Sequence, residues 1–177
     1  RVSWGSEMCI RDRLRVLREK TNATIINTYG PTEITVSSNA KNLTNADEIS
    51  IGRPLRNYTE YIVDSDNNLL PIGVVGELLI QGCGVALGYN KLPEQTAKAY
   101  EKNPYCNEKG YERLYHTGDI VRLTDEGKVD FIGRNDGQVK IRGFRIELSE
   151  VDKIIRKYDG ITNTAVIARK LDGGGQC

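Results

Sequence analysis

The stretch Gly133-Arg134-Asn135-Asp136-Gly137-Gln138-Val139-Lys140-Ile141-Arg142-Gly143-Phe144-Arg145-Ile146-Glu147-Leu148 decides how the rest of the chain is read. Val139 and Ile141 are apolar at odd positions, whereas Phe144, Ile146 and Leu148 are apolar at even ones. Side chains alternate along a strand, so the change of parity at Gly143 marks a bulge or turn between two strands. Ser149 then stands as a helix cap, with Asp152 three residues on as an imperfect capping box. Val151, Ile154, Ile155 and Tyr158 follow helical spacing, Gly160 ends the helix, and Thr164 to Ala168 reads as a strand. A small α+β unit therefore begins after a boundary at Gly133–Gly137.

Upstream of that boundary the pattern differs. From Ile51 to Ile132 the signals are short strands and turns. Glu60 to Asp64 reads as a strand, Ser65 to Asn68 as a polar turn, and Val74 to Gln81 as a strand followed by Gly82 and Gly84. Pro93 suits the first turn of a short helix reaching Tyr100. Ile120–Leu123 and Lys128–Ile132 flank Asp125-Glu126-Gly127, a hairpin signal. Such a succession predicts a small, distorted β-barrel. Earlier still, Leu14 and Leu17 among charged residues predict one or two helical turns, and a solvated helix face accounts for the nearby arginines. Ala23 to Tyr29 reads as a buried strand that Gly30-Pro31 terminates. Residues 1–13 show no apolar period and hold the only Trp and the only Met; they read as a scar outside the fold.

Composition narrows the function classes. Of 177 residues, 25 are Lys or Arg and 24 are Asp or Glu, a net charge of +1, which argues against a protein that coats nucleic acid. No apolar run approaches the ~20 residues that span a bilayer, so no membrane is expected. No charged-then-apolar start reads as a secretion signal. Cys9, Cys83, Cys106 and Cys177 form no metal-type pairs, and a reducing, cytoplasmic setting with free thiols is expected. The chain reads as a fragment of a longer protein.

Two further segments carry chemistry. In Asn27-Thr28-Tyr29-Gly30-Pro31-Thr32-Glu33 a strand ends at Gly-Pro, which presents the next side chains at a sheet edge, where ligands sit in α/β folds. The Thr32 hydroxyl beside the Glu33 carboxylate suits phosphate and Mg²⁺, which prefers oxygen ligands. Tyr29 offers a flat face for a base, or else a core ring. In Tyr115-His116-Thr117-Gly118-Asp119, Thr117-Gly118-Asp119 reads as a tight turn entering a strand. A carboxylate fixed there can accept two ribose hydroxyls; alone, a turn-forming Asp explains it as well.

In this order and at these distances, the three segments resemble the adenylate-forming enzyme superfamily, and within it the amino-acid adenylation domains of nonribosomal peptide synthetases. The resemblance covers roughly residues 20 to 176. It implies a mixed α/β (α+β) fold: residues 14–132 as the end of the large adenylation subdomain with its distorted barrel, 133–137 as a hinge, and 138–177 as a truncated small C-terminal domain. The implied reaction joins an amino acid to the AMP part of ATP, with Mg²⁺, and passes the aminoacyl group to phosphopantetheine on a peptidyl-carrier domain of the same polypeptide.

The resemblance also implies residue roles. Tyr29 stacks on adenine, Asn27 and Gly30 shape that end of the site, and Thr32 bonds the α-phosphate. Glu33 holds Mg²⁺, and Asp119 binds the ribose. Phe131 falls where many relatives have Tyr, so one hydrogen bond is expected to be missing. Arg134 would reach ribose or phosphate. Thr28, Val36 and Ser37 fall at acyl-pocket positions. Asp136 matches the hinge about which the small domain swings between half-reactions. In the second pose Gly143 would let a pantetheine arm approach, and Lys140 would enter the site, a solvated strand lysine being the alternative. His116, the only histidine, invites acid–base catalysis, but the family pattern gives its position no fixed identity, and an exposed or packing histidine is expected. The family's phosphate loop would lie upstream and its C-terminal lysine downstream, so this stretch alone is expected to be inactive. Two other readings remain: an acyl- or aryl-CoA ligase, and a non-catalytic nucleotide-binding or scaffolding domain.

Overall fold

A computed structural model describes residues 7–141 and 144–168. The chain divides into two compact units, one formed by Ala23–Gly133 and the other by the segments on either side of it.

The Ala23–Gly133 unit is built on two antiparallel sheets. The first has the order β1 (Ile26–Tyr29), β2 (Asn39–Asn42), β3 (Arg53–Pro54). The second runs β4 (Tyr58–Val63), β5 (Val75–Gly82), β7 (Arg113–Leu123), β6 (Tyr100–Lys102), with β8 (Val129–Arg134) also paired to the long β7. A helix α2 (Pro93–Ala99), opened by its proline, leads into β6. The expected barrel is an open arrangement among the described residues: a single bridge, Gly52 to Val129, joins the two sheets, and the strands do not close. β7 and β8 form the hairpin expected across Asp125-Glu126-Gly127, where the Thr124 N–H donates to the Lys128 carbonyl (2.8 Å).

Burial follows the pleat, because residues two apart on a strand share a face. On one face of the second sheet, Ile62, Leu78, Ile80, Tyr115, Val121 and Val129 pack with Ile34 and Tyr100 into the main core, with Tyr29 and Phe131 at its margin. On the other face Val63, Leu79 and Leu114 form a smaller cluster with Tyr61 and Tyr105. The strand β1 is shorter than the sequence suggests and less buried: Ile26 is 57% exposed.

One feature of β7 corrects the sequence reading. Thr117-Gly118-Asp119 is not a turn entering a strand but a bulge inside one. Glu77 pairs with Ile120 and Leu79 with His116, so the single residue Leu78 faces three on β7. Gly118 takes φ +69, a left-handed conformation that costs glycine little. Side chains take up the disrupted ladder: the Thr117 hydroxyl donates to the Leu78 carbonyl (2.7 Å), the Asp119 N–H donates to Thr117 Oγ1 (2.9 Å), and the Gly118 N–H donates to Glu77 Oε1 (3.0 Å).

The other unit contains α1 (Glu7–Lys20), β9 (Gln138–Ile141), β10 (Phe144–Glu147) and α3 (Leu148–Ile155). The helix α1 starts at Glu7, inside the segment read as lying outside the fold; Glu7, Met8, Arg11 and Arg13 are good helix formers. β9 and β10 pair antiparallel with Ile141 opposite Phe144 and Gln138 opposite Glu147. Gly143, where the parity changes, lies outside the described residues. Ser149 does not cap α3: the cap residue is Glu147, without a side-chain hydrogen bond, and Ser149 is inside the first turn. Asp152 bonds the Arg156 Nε (2.7 Å) and the Thr164 hydroxyl instead of the helix start. Those contacts hold the Thr164 segment as an irregular run, not the expected strand. The apolar residues of helical spacing are not buried on α3. Ile154 is 57% exposed and Tyr158, just beyond the helix, is 67% exposed.

Candidate nucleotide site

Two strands of the Ala23–Gly133 unit meet although 90 residues separate the contact: the Tyr29 hydroxyl donates to Asp119 Oδ2. Tyr29 ends β1 and Asp119 closes the β7 bulge. Asp119 is almost wholly buried, as is Thr117 beside it. Burial, then the charge and hydrogen bond of Asp119, push the Tyr29 phenol well above its ordinary value, so it remains a proton donor.

After Tyr29 the chain turns sharply. Pro31 precedes a single 3-10 turn, Thr32–Ile34. Thr35 and Val36 follow with φ of 60 and 78. Both are β-branched, and that left-handed region is unfavourable for such residues, so the surrounding contacts must hold it. The contacts are numerous. The Ser38 N–H donates to the Tyr29 carbonyl (2.9 Å), and the Ala86 N–H donates to the Glu33 carbonyl (2.8 Å). The Thr35 hydroxyl donates to the Gly84 carbonyl (2.8 Å), and the Tyr58 hydroxyl donates to the Ile34 carbonyl (2.9 Å). Gly30 is packed under this turn: a Cβ there would lie 2.7 Å from Ser37 Cα and 2.8 Å from the Val36 carbonyl oxygen, both backbone. Its requirement is therefore close approach within the loop.

The loop presents Thr32 and Val36 outward, with Val36 49% exposed, while Glu33 is 8% exposed. Tyr89 donates its hydroxyl to Glu33 Oε1 (2.8 Å). Burial first, then the Glu33 hydrogen bond, push the Tyr89 phenol far up. Sequence reasoning missed Tyr89, since it lies in an irregular segment between β5 and α2 where no periodicity points to Glu33. Among the described residues no group of three or more His, Cys, Asp or Glu is arranged to hold a metal ion. A single carboxylate is nevertheless the protein share that Mg²⁺ takes when phosphates supply most other ligands, and Glu33 beside Thr32 fits that kind of site.

The remaining predicted residues fall in several places. Asn27 donates from Nδ2 to the Ser50 carbonyl (2.8 Å), which ties β1 to the approach of β3. Thr28 is exposed and Ser37 half-buried. Phe131 lies on β8 against the main core. Arg134 belongs to the other unit and forks onto Asp136, with Nε donating to Oδ1 (2.9 Å) and Nη2 to Oδ2. The Gln138 N–H donates to the same Oδ1 (3.1 Å). Burial raises the Asp136 acid, but Arg134 and the Gln138 N–H outweigh it and leave the carboxyl below its ordinary range. Lys140 lies on β9 opposite Arg145.

A second group escaped the sequence reading altogether. Glu60 points to the core side of β4, on the face shared by Tyr58 and Ile62, opposite Ile80. Both its carboxylate oxygens are buried without a hydrogen-bond partner of full geometry. The facing Nδ2 of Asn39 is unpaired by the same measure, though its nearness eases the charge. Desolvation pushes Glu60 up to about 7, and its charge is felt at Tyr29.

Cys83 and Cys106 are free thiols, and among the described residues no helix is long and apolar enough to cross a membrane.

A model of the AMP-binding enzyme family matches residues 1–90. Tyrocidine synthase 3 of Brevibacillus parabrevis is 44% identical over 176 residues, covering 96% of this chain and 3% of the synthase. Delta-poly-L-ornithine synthetase of Acinetobacter baumannii (strain AB307-0294) is 42% identical, covering 97% of this chain and 13% of the synthetase. The chain thus spans a small part of these relatives. Among solved structures, holo-PA1221, an NRPS protein containing adenylation and PCP domains bound to a vinylsulfonamide inhibitor, matches with a TM-score of 0.80 and 30% identity, over 97% of this chain and 30% of that one. The Vibrio cholerae adenylation domain AlmE, in complex with glycyl-adenosine-5'-phosphate, matches with a TM-score of 0.80 and 28% identity, over 93% of this chain and 31% of AlmE.

Proposed function

The chain belongs to the AMP-binding enzyme family, and from that premise we propose that it is part of an amino-acid-activating domain of a nonribosomal peptide synthetase. The parent protein attacks the α-phosphorus of ATP with an amino-acid carboxylate, releasing pyrophosphate and forming aminoacyl-AMP. A carrier-bound phosphopantetheine thiol then takes the aminoacyl group and releases AMP. The carrier is a domain of the same polypeptide, in keeping with the carrier domains named in the PA1221 structure.

The observation that carries this reading is the contact of Tyr29 with Asp119. It ties the Tyr29 hydroxyl to a buried carboxylate, and Thr32 and Glu33 follow Tyr29 by three and four residues, which supports base, ribose and phosphate contacts to a single nucleotide. Asp119 takes the ribose hydroxyls, with Phe131 near the ribose, and Tyr29 stacks on the adenine, with Asn27 and Gly30 shaping that end. Thr32 holds the α-phosphate. Glu33 holds Mg²⁺, which neutralises charge on the phosphates when bound. Thr28, Val36 and Ser37 border the amino-acid pocket. The hinge at 133–137, with Asp136 as its pivot, separates the adenylation segment 14–132 from the small domain 138–177. Arg134 is the residue for the ribose or phosphate, and Lys140 and Gly143 serve the second pose.

Asp119→Ala in the full-length protein tests the ribose assignment. A contact made equally before and during reaction is uniform binding, so its loss raises KM and spares kcat. KM for ATP in amino-acid-dependent pyrophosphate exchange should rise roughly 10- to 100-fold, the cost of charge-assisted hydrogen bonds, with kcat changed less. An unchanged KM would remove Asp119 from the nucleotide site.

A further inference from the structure

His116 is neither solvent-exposed nor simply packed. Its Nε2 pairs with Glu101 Oε1 of β6 at 3.1 Å and its Nδ1 with Glu77 Oε1 of β5 at 3.7 Å. The side chains are only 20% (His116), 32% (Glu101) and 22% (Glu77) exposed. The strand register explains the meeting. Leu79 pairs with His116 and Glu101 with Leu114, so Glu77, Glu101 and His116 share the face of the smaller core cluster. The same Glu77 Oε1 accepts the Gly118 N–H at 3.0 Å, the amide at the centre of the bulge that ends in Asp119.

We propose that His116 is a positioning residue for Asp119. As a cation it clamps Glu101 and Glu77 together, and the held Glu77 carboxylate fixes the Gly118 amide, so the bulge presents Asp119 to a ribose diol in one pose. This rests on the reading of Asp119 as the ribose ligand. Two carboxylates from two neighbouring strands are an arrangement that favours the charged imidazole. The Glu77 hydrogen bond first, with Glu101 added, raises the His116 pKa above its ordinary value despite partial burial. The charged groups acting on the ring are Glu77 from β5 and Glu101 from β6. Tyr105, within range of the Glu101 charge, is held neutral and donates its hydroxyl to the Asn67 carbonyl (2.6 Å). The clamp is therefore intact below pH 6.5 and is lost as pH rises through the raised pKa.

Because His116 is the only histidine, its titration can be followed without ambiguity. Proton–nitrogen NMR of the 177-residue chain should give an imidazole midpoint above 6.5, with the Gly118 amide moving at the same midpoint. Adenosine, which carries no titrating phosphate, is the binding probe. Its affinity should fall roughly three- to tenfold, the worth of a positioning hydrogen bond, between pH 6 and pH 8.5. His116→Gln should bind as weakly as the high-pH form at both values, and His116→Arg, a permanent cation, tightly at both. A midpoint at or below 6.5, or a Gly118 amide that does not follow it, overturns the clamp. Equal adenosine affinity at both pH values overturns the positioning role, as does a pH dependence that survives in His116→Arg, which would belong to Glu60. If the clamp titrates but adenosine does not bind at pH 6, the ribose reading of Asp119 fails and the positioning role fails with it, while the clamp itself stands.

Discussion

Glu60→Gln is expected to stabilise the chain by about 2 to 3 kcal/mol at pH 8 and by little at pH 4.5. A glutamate pushed from 4.5 up to about 7 is destabilised as an anion by burial on the core face of β4. About 2.5 pH units at about 1.4 kcal/mol each comes to about 3.5 kcal/mol, a ceiling just above the expected range of about 2 to 3 kcal/mol. Because the folded pKa is the raised one, the folded state holds the proton more tightly. The stability it contributes is complete below 4.5, declines as pH rises, and is gone above 7. Glutamine keeps the shape, carries no charge to desolvate, and can accept a hydrogen bond from the Asn39 Nδ2, which has no other partner. Urea unfolding at pH 4.5, 6 and 8 measures the difference. A difference that is the same at all three would show that Glu60 titrates alike in the folded and unfolded chain, its charge not desolvated by the fold. Leaving a carboxylate there against its own stability cost is consistent with a place beside the Tyr29–Asp119 pair.

Asp136→Pro in the full-length protein should leave amino-acid-dependent pyrophosphate exchange within a few-fold and cut carrier loading on the order of tenfold or more. Asp136 lies just past the division between the two units, and its carboxylate holds both Arg134 and the Gln138 N–H. Proline fixes φ near one value, which a pivot serving two domain poses cannot accept. It also deletes the carboxylate, so Asp136→Asn is the necessary companion: it retains an acceptor for the Gln138 N–H and leaves the backbone free. Loading lost in the proline variant and kept in the asparagine variant assigns the effect to the backbone. Equal loss of exchange and loading in Asp136→Pro, with unchanged circular dichroism, would make Asp136 a structural residue.

Local sequence made the second sheet legible. Alternation and turn residues placed β5 to within one residue, β4 to within two and the turn of the β7–β8 hairpin, and Pro93 marked the start of α2, but β7 begins at Arg113, seven residues before the expected Ile120. What escaped depends on pairing between distant strands. Thr117-Gly118-Asp119 looks like a turn because glycine in a short polar run usually is one; only the register of β5 against β7 makes it a bulge. The barrel failed for a related reason: short strands in succession do not reveal whether the last one meets the first. At the site, Tyr29, Thr32, Glu33 and Asp119 stood out because their residue types suit a nucleotide. Their supports, Tyr89, Glu77 and Glu101, carry no such signature and are recognised by whom they touch. Glu60 was within reach of the sequence, since it alternates with Tyr58 and Ile62; a charge on a core-facing position was the signal. Ser149 and Asp152 show the opposite case, a capping pattern in sequence that the helix start does not use.

The most direct test of nucleotide-dependent amino-acid activation is the pyrophosphate exchange of the full-length protein compared with its Glu33→Gln variant, across Mg²⁺ concentrations. Exchange in the unaltered protein should require one or a few amino acids and Mg²⁺. Removing the charge of Glu33 should lower exchange on the order of 100-fold by weakening stabilisation of the phosphate charge, and should shift the Mg²⁺ requirement upward. Glutamine can still accept the Tyr89 hydroxyl, so the loop should remain folded. Exchange that needs no amino acid, or that proceeds at the unaltered rate and Mg²⁺ requirement in Glu33→Gln, would contradict the account.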